Sequence, residues 1–381
     1  MRGGIRYFFF CCLWFTSLLS CRRPYEPPEV KADNRFLVVD GVINSTPGAA
    51  TTITLSRTRR LVDTITSSAE LRATLFLESS SGVIYPFIEK GKGVYTLDRL
   101  NLNANEKYRL KINTANGKQY ASEYVPVKQT PPIDSLSWEE QPDHVTIYAY
   151  THDPQNNTRY YRWEYEETWE YYSYYDADMG VSNGMIFYRD STNQVHVCWQ
   201  NGYSTNIVVG SSIKLSEDVI NRMPVGRVFE NTEKINYKYS MLVKQYALTE
   251  EAYNYWDILQ KNTQQVGSLF DAQPSQLKGN IHSLNDPSEP VIGFVSISSV
   301  QNKRIFIRKE ELANWNGASI AYSCDLRFIA QNPSNYLLFN YPDTSFGPYY
   351  FVSGGGIAIT RKSCMDCTYR GGTNVKPAFW R

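Results

Sequence analysis

Short alternations of apolar and polar residues recur along the chain from residue 35 onward. Thr51-Thr52-Ile53-Thr54-Leu55-Ser56 puts Ile53 and Leu55 on one side, and Tyr108-Arg109-Leu110-Lys111-Ile112-Asn113 puts Tyr108, Leu110 and Ile112 on one side. A period of two predicts strands with one buried face. Phe36-Leu37-Val38-Val39 runs into Asp40-Gly41, and Ala73 to Glu78 runs into a Ser-Ser-Ser-Gly turn at 79–82, so the runs are bounded by turn residues. No helical period interrupts them. Leu102, six residues before Tyr108, fits the approach to a tyrosine corner. The expectation for residues 35–125 is an immunoglobulin-like β-sandwich.

Pro126, Pro131 and Pro132 mark a linker at 126–132. A larger β-rich domain is expected from 133 to 381. It opens with Ile133 to Trp138 and Val145 to Tyr150, both alternating, and continues with Tyr160 to Glu166. One helix is expected near 249–266. Thr249 can cap its first amides, Glu250 and Glu251 suit the positive helix end, and Leu248 can pack on Tyr253. Ala252, Tyr255, Trp256 and Leu259 then share a face, and Val266-Gly267 ends the pattern. The fold class is therefore mainly β: an N-terminal sandwich, then a larger β-rich domain with a helical insertion.

The first residues read differently. Arg2 and Arg6 precede an apolar stretch from Tyr7 to Leu19, too short for a relaxed membrane-spanning helix. It closes on Leu18-Leu19-Ser20-Cys21, the order of a bacterial lipobox. The small Ser20 admits the peptidase to the backbone, and the Cys21 thiol takes the lipid. Residues 1–20 are thus expected to be a lipoprotein signal peptide, with Cys21 the lipidation site and 21–34 a proline-stiffened tether. The expected location is the outer membrane, lipid-anchored, with cell-surface and periplasm-facing positions both open.

The chain has 381 residues, with 39 Lys and Arg against 38 Asp and Glu. That balance excludes a basic nucleic-acid platform. With 42% hydrophobic and 14% aromatic residues, a large folded core is expected rather than disorder.

Beyond the export signal four cysteines remain: Cys198, Cys324, Cys364 and Cys367. In an exported chain an even count favours disulfides, with three complete pairings open. Zinc is one alternative, using His196, Cys198, Cys364 and Cys367. A redox pair at Cys364 and Cys367 is another, but a loop, not a helix, follows it. His144, His152, His196 and His282 form no H-E-x-x-H, and neither a G-x-S-x-G elbow nor a phosphate-cradling glycine loop occurs. No catalytic residue, metal or cofactor is assigned. His152 to Asn157 is oxygen-rich but lacks EF-hand spacing and reads as a turn.

Tyr160 to Tyr175 is rich in aromatics. Tyr161, Trp163, Tyr165, Trp169 and Tyr171 are the candidate ligand or partner surface, because aromatic faces stack on sugars and enrich protein interfaces. The competing reading places alternate residues of this tract in a sandwich core. Tyr349-Tyr350-Phe351 is a second candidate contact stretch.

With these features in view, the chain resembles the Bacteroidetes lipoproteins of domain of unknown function 4249. The resemblance rests on Leu37 to Gly41 with Thr54 to Thr58, Tyr239-Ser240 through Val243 to Tyr246, Gly267 to Asp271 with Gln273-Pro274, Gly279-Asn280-Ile281, Lys303 to Ile307, and Cys364 to Cys367 with Pro377 and Phe379-Trp380. It implies an outer-membrane lipoprotein, often encoded beside TonB-dependent receptors, and carries no active site. The expected function is a non-enzymatic accessory component of a TonB-dependent uptake system. The alternative is a surface adhesin or glycan-binding module. The expected partners are membrane lipid through Cys21 and a TonB-dependent receptor, with a glycan under the alternative and no nucleic acid.

Overall fold

A computed structural model describes residues 35–59, 68–182, 185–264, 277–318, 323–330, 345–353 and 355–381. The expected signal peptide, the expected lipidation site Cys21 and the expected tether lie outside these residues. The described chain is mainly β, and its sheets share two principal cores.

The first core is a two-sheet sandwich. Leu37–Asp40, Thr51–Arg57, Val94–Leu97 and Ile88–Gly91 run side by side in one sheet. Val125–Lys128, Lys107–Asn113, Thr74–Ser79 and Ile84–Pro86 run in the other. The alternation does what its period requires: Ile53, Leu55, Leu75, Leu77, Leu110 and Ile112 all point inward and are buried. Tyr108 is buried among them, and its hydroxyl accepts a hydrogen bond from the Asn103 amide at 2.8 Å, which closes the tyrosine corner.

Residues beyond the linker also enter this sandwich. Val291–Ile292 pairs in parallel with Leu37–Asp40, and Ile297–Ser298 pairs in parallel with both Ile43–Asn44 and Val125–Lys128. Ile281–Ser283 pairs antiparallel with Gln119–Ser122. Ile281, Val291, Val295 and Ile297 therefore belong to the first core. Asn280 clamps this return: its side-chain amide donates to the Val295 carbonyl at 2.9 Å and accepts from the Val295 amide at 2.8 Å. The expected 35–125 sandwich is thus completed by residues 281–298.

The second core lies between two further sheets. One contains Ile133–Glu140, His144–Asp153 and Asp218–Phe229. The other orders Val197–Tyr203, Tyr160–Tyr172, Lys238–Ala247 and Val300–Arg308. Smaller sheets form from Met179–Ser182 with Met185–Tyr188, and from Arg327–Ala330, Gly356–Arg361 and Phe346–Phe351.

The helix spans Glu250–Gln264. The Thr249 hydroxyl accepts from the Ala252 amide at 3.2 Å, as an N-cap should. Ala252 and Tyr255 pack on Leu248, Val209 and Phe294. No helix among the described residues is long and apolar enough to cross a membrane.

Candidate functional site

The strand Tyr160–Tyr172 sits inside its sheet, paired on one side with Lys238–Ala247 and on the other with Val197–Tyr203 and Val208–Ser211. Its odd-numbered residues face the second core. Tyr161, Trp163, Trp169 and Tyr171 are each at most 8% exposed, and Tyr165 packs against the same core partly buried. The candidate aromatic surface is therefore interior. The physical reason is that a central strand whose sheet is covered on one face must fill that face with its largest apolar side chains. Three polar tips in that core find partners. Tyr161 donates to Asp218 at 2.9 Å and Trp163 to Gln245 at 2.8 Å, while the Tyr171 hydroxyl donates to the Cys367 carbonyl at 2.8 Å.

Apart from the buried Glu167, the charged residues of this strand are even-numbered and turn to the opposite face. The register brings Arg162 beside Tyr246, Glu164 beside Lys244 and Glu166 beside Leu242. On the next strand Arg304 lies beside Leu242, Phe306 beside Ser240, and Arg308 beside Lys238. One polar face thus runs the length of the sheet, with a concavity at each end.

At one end, Arg162, Glu164, Lys244, Tyr246 and Asn302 meet Asp40, Gly41, Asn44 and Thr52 of the N-terminal sandwich around a cleft of about 330 Å³. Arg162 pairs with Glu164, and Lys244 with Glu166. The Arg162 guanidinium also lies 3.7 Å from the Trp256 ring centre, which binds the helix to this end. Tyr246 donates to Glu164 at 2.9 Å, and burial, then the Glu164 charge, push its phenol well above the ordinary value. The cleft is closely charge-balanced.

At the other end the C-terminal segment folds over the sheet. Lys238, Arg304, Phe306, Arg308 and Glu311 line a concavity of about 720 Å³ together with Ala378, Phe379 and Arg381. Trp380 pins this segment: its indole donates to Glu170 at 2.9 Å, and its ring packs edge-on against Phe306 and Trp199.

Each cysteine among the described residues is disulfide-bonded, Cys198 to Cys367 and Cys324 to Cys364. This pairing replaces the zinc and redox readings, since no thiolate is left to ligate metal and Cys364 and Cys367 bond elsewhere. His196 hydrogen-bonds Ser173 at 2.9 Å and packs edge-on against Tyr172. Among the described residues no group of three or more His, Cys, Asp or Glu is placed to hold a metal ion. Tyr349, Tyr350 and Phe351 lie on the strand Phe346–Phe351, with Phe351 exposed. The turn after His152 is organised by Asp153, whose carboxylate accepts from the amides of Gln155, Asn157 and Thr158.

A family model for a domain of unknown function (DUF4249) matches residues 22–304. The chain belongs to this family. The match takes in the whole N-terminal sandwich and most of the charged sheet face, and the C-terminal segment that roofs the basic concavity lies beyond it. No curated protein matches the chain. Among solved structures the DUF4249 chain is similar to a two fibronectin type-III domain segment from chicken tenascin, with 12% identity, 54% of this chain and 88% of that one covered, and a TM-score of 0.15. It is also similar to chitinase ChiA74 from Bacillus thuringiensis, with 11% identity, 45% and 28% covered, and a TM-score of 0.16. Superpositions this loose carry no argument.

The charged face was missed in the sequence. Arg162, Glu164 and Glu166 do alternate with the aromatics at the strand period, which is a readable signal. Their meeting with Lys244, Arg304 and Arg308 depends on registers between segments far apart in the chain.

Proposed function

We propose that this DUF4249 protein is a lipid-anchored, non-enzymatic binding protein of the bacterial outer membrane, serving as an accessory component of a TonB-dependent uptake system. The observation that carries the reading is the order Arg2, Arg6, an apolar stretch from Tyr7 to Leu19, and Leu18-Leu19-Ser20-Cys21. The paired cysteines support it, because disulfides persist in oxidising compartments. In this reading the acyl chains on Cys21 supply the anchor, and the charged face between the two end concavities supplies the contact surface. An adhesin built on the aromatic tract has little to recommend it, since those side chains are interior.

The reading is tested by replacing Cys21 with Ala and fractionating the cells. The wild type should carry an acyl mass on Cys21 and pellet with membranes, and the variant should leave the mature, acylated pool. A wild type without acyl mass would sink the anchor. For the partner, a mild-detergent pull-down from native membranes should recover an outer-membrane receptor. Recovery of the lipoprotein alone at both low and high salt would sink the accessory role.

A further inference from the structure

The concavity beneath the C-terminal segment is chemically lopsided. Four cationic side chains line it, Lys238, Arg304 and Arg308 from adjacent strands and Arg381 from the C-terminal segment, and its sole carboxylate side chain is Glu311. Glu311 accepts from the Arg308 main-chain amide at 2.8 Å, and its charge is outnumbered by the cations around it. Arg304 uses one donor on the Ser240 hydroxyl at 2.8 Å, and Lys238 donates to the Arg381 main-chain oxygen. Among the described residues no ion pair involves Arg304 or Arg308. In a chain of net charge +1, four cationic side chains against one carboxylate side chain are a local imbalance. Electrostatic self-energy makes such an arrangement unfavourable until a counter-anion arrives.

Aromatic surface accompanies the charge. Phe306 and Phe379 both line the cavity, and Phe379 is 37% exposed. Arg304 lies over the Phe379 ring at 3.6 Å, which fixes that guanidinium with its remaining donors free for a ligand. Planar guanidinium groups bind carboxylates through paired N–H donors, and a flat apolar ring beside them packs against the C–H face of a sugar. The volume of about 720 Å³ suits a ligand of one or two sugar rings. We infer that this concavity is a binding site for an acidic sugar, its carboxylate held between Arg304 and Arg308 and its ring laid against Phe379.

The electrostatics agree with that geometry. Burial, then the neighbouring Arg308, hold the Lys238 ammonium below its usual value, and burial does the same to the Arg304 guanidinium. An anion in the site relieves both. The inference does not depend on the lipid anchor or on a receptor partner, and its test is separate.

The test is calorimetric titration of the mature protein with glucuronate, glucose and inorganic phosphate. Glucuronate should bind about tenfold or more tighter than glucose, and its affinity should fall as salt rises. Arg308 is exposed, so Arg308→Gln should leave the melting temperature unchanged while weakening glucuronate about tenfold. Phe379→Ala should weaken glucuronate and leave any phosphate binding unaltered. Four results overturn the inference: no glucuronate binding up to about 10 mM, glucose binding as tightly as glucuronate, phosphate binding as tightly as glucuronate, or full affinity in Arg308→Gln.

Discussion

At the scale of single residues, two buried polar side chains, Gln245 and Asp218, each gather several partners, and that matching fixes how the strands meet. Gln245 is fully buried, yet its carbonyl accepts from Trp163 and its amide donates to the Pro131 carbonyl and the Thr151 hydroxyl. Asp218 is 1% exposed and accepts from the Tyr161 hydroxyl, the Ser212 hydroxyl and the Arg159 amide. Leaving such groups unpaired costs about 1–3 kcal/mol each, so these side chains specify register as well as filling space. Asp153 gives a pH-dependent case. Burial alone would raise its carboxyl, but the amides of Gln155, Asn157 and Thr158 and the Thr158 hydroxyl outweigh it and hold the group below its ordinary 3.8. A carboxyl depressed in the folded state stabilises fully above its unfolded value and loses that contribution as pH falls through the lower folded value. Asp153→Asn should therefore cost about 1 kcal/mol near neutral pH, with the difference from wild type shrinking below about pH 4. Urea midpoints of both proteins across that range measure it. A difference that grows with acid would refute the sign.

At the scale of elements, the decisive feature is the return of residues 279–298 into the N-terminal sandwich. Two glycines let backbone meet backbone there. A Cβ on Gly293 would lie 2.2 Å from the Val39 carbonyl oxygen, and one on Gly279 would lie 2.0 Å from the Gly293 oxygen. Gly293 also sits at φ +139°, where a side chain is strained. Gly293→Ala should cost about 3 kcal/mol or more, because the rigid carbonyl cannot move aside. Gly48→Ala is the control: its φ is +75° with nothing within 4 Å, so only the cost of left-handed backbone, about 1–2 kcal/mol, applies. Equal losses in thermal unfolding would show that the close approach is unimportant. This return also marks the limit of what the sequence discloses. The alternation in Thr51 to Ser56 and Tyr108 to Asn113, the approach to the Tyr108 corner and the cap at Thr249 are local patterns, and all are legible. Val291 to Val300 reads as strand from the sequence, but Val291–Ile292 and Ile297–Ser298 are strands of two residues whose partners lie far away in sequence, so their place in the first sandwich was not legible. The aromatic tract was legible as a strand, with surface and interior placements both open, and local pattern could not decide between them because its neighbours are set by long-range pairing. The same blindness hid the basic concavity, which exists only once Lys238, Arg308 and Phe379 are brought together.

At the scale of the whole molecule, the two disulfides differ in what they enclose. Cys198–Cys367 joins residues 169 apart, with both cysteines fully buried in the second core. Cys324–Cys364 joins residues 40 apart, and Cys324 is only half-buried. Chain entropy makes the longer loop the more stabilising by about 1 kcal/mol, in a total of about 4–5 kcal/mol for each bridge. Burial sets the order of reduction in the same direction, since the reductant must reach the sulfur. Cys367 also starts the segment that crosses the edge strand, where Thr373 and Trp199 exchange main-chain hydrogen bonds at 2.8 and 2.9 Å, before Ala378, Phe379 and Arg381 line the basic concavity. The bridge thus anchors the wall of a site some residues further along. Under mild reductant, alkylation followed by mass analysis should label Cys324 and Cys364 before Cys198 and Cys367. Replacing Cys198 and Cys367 together by Ser should lower stability more than replacing Cys324 and Cys364, and should also weaken glucuronate binding through a loosened tail. Earlier labelling of the long-loop pair, or a smaller loss on its removal, would mean that the C-terminal segment is held by its ring and main-chain contacts without help from the bridge.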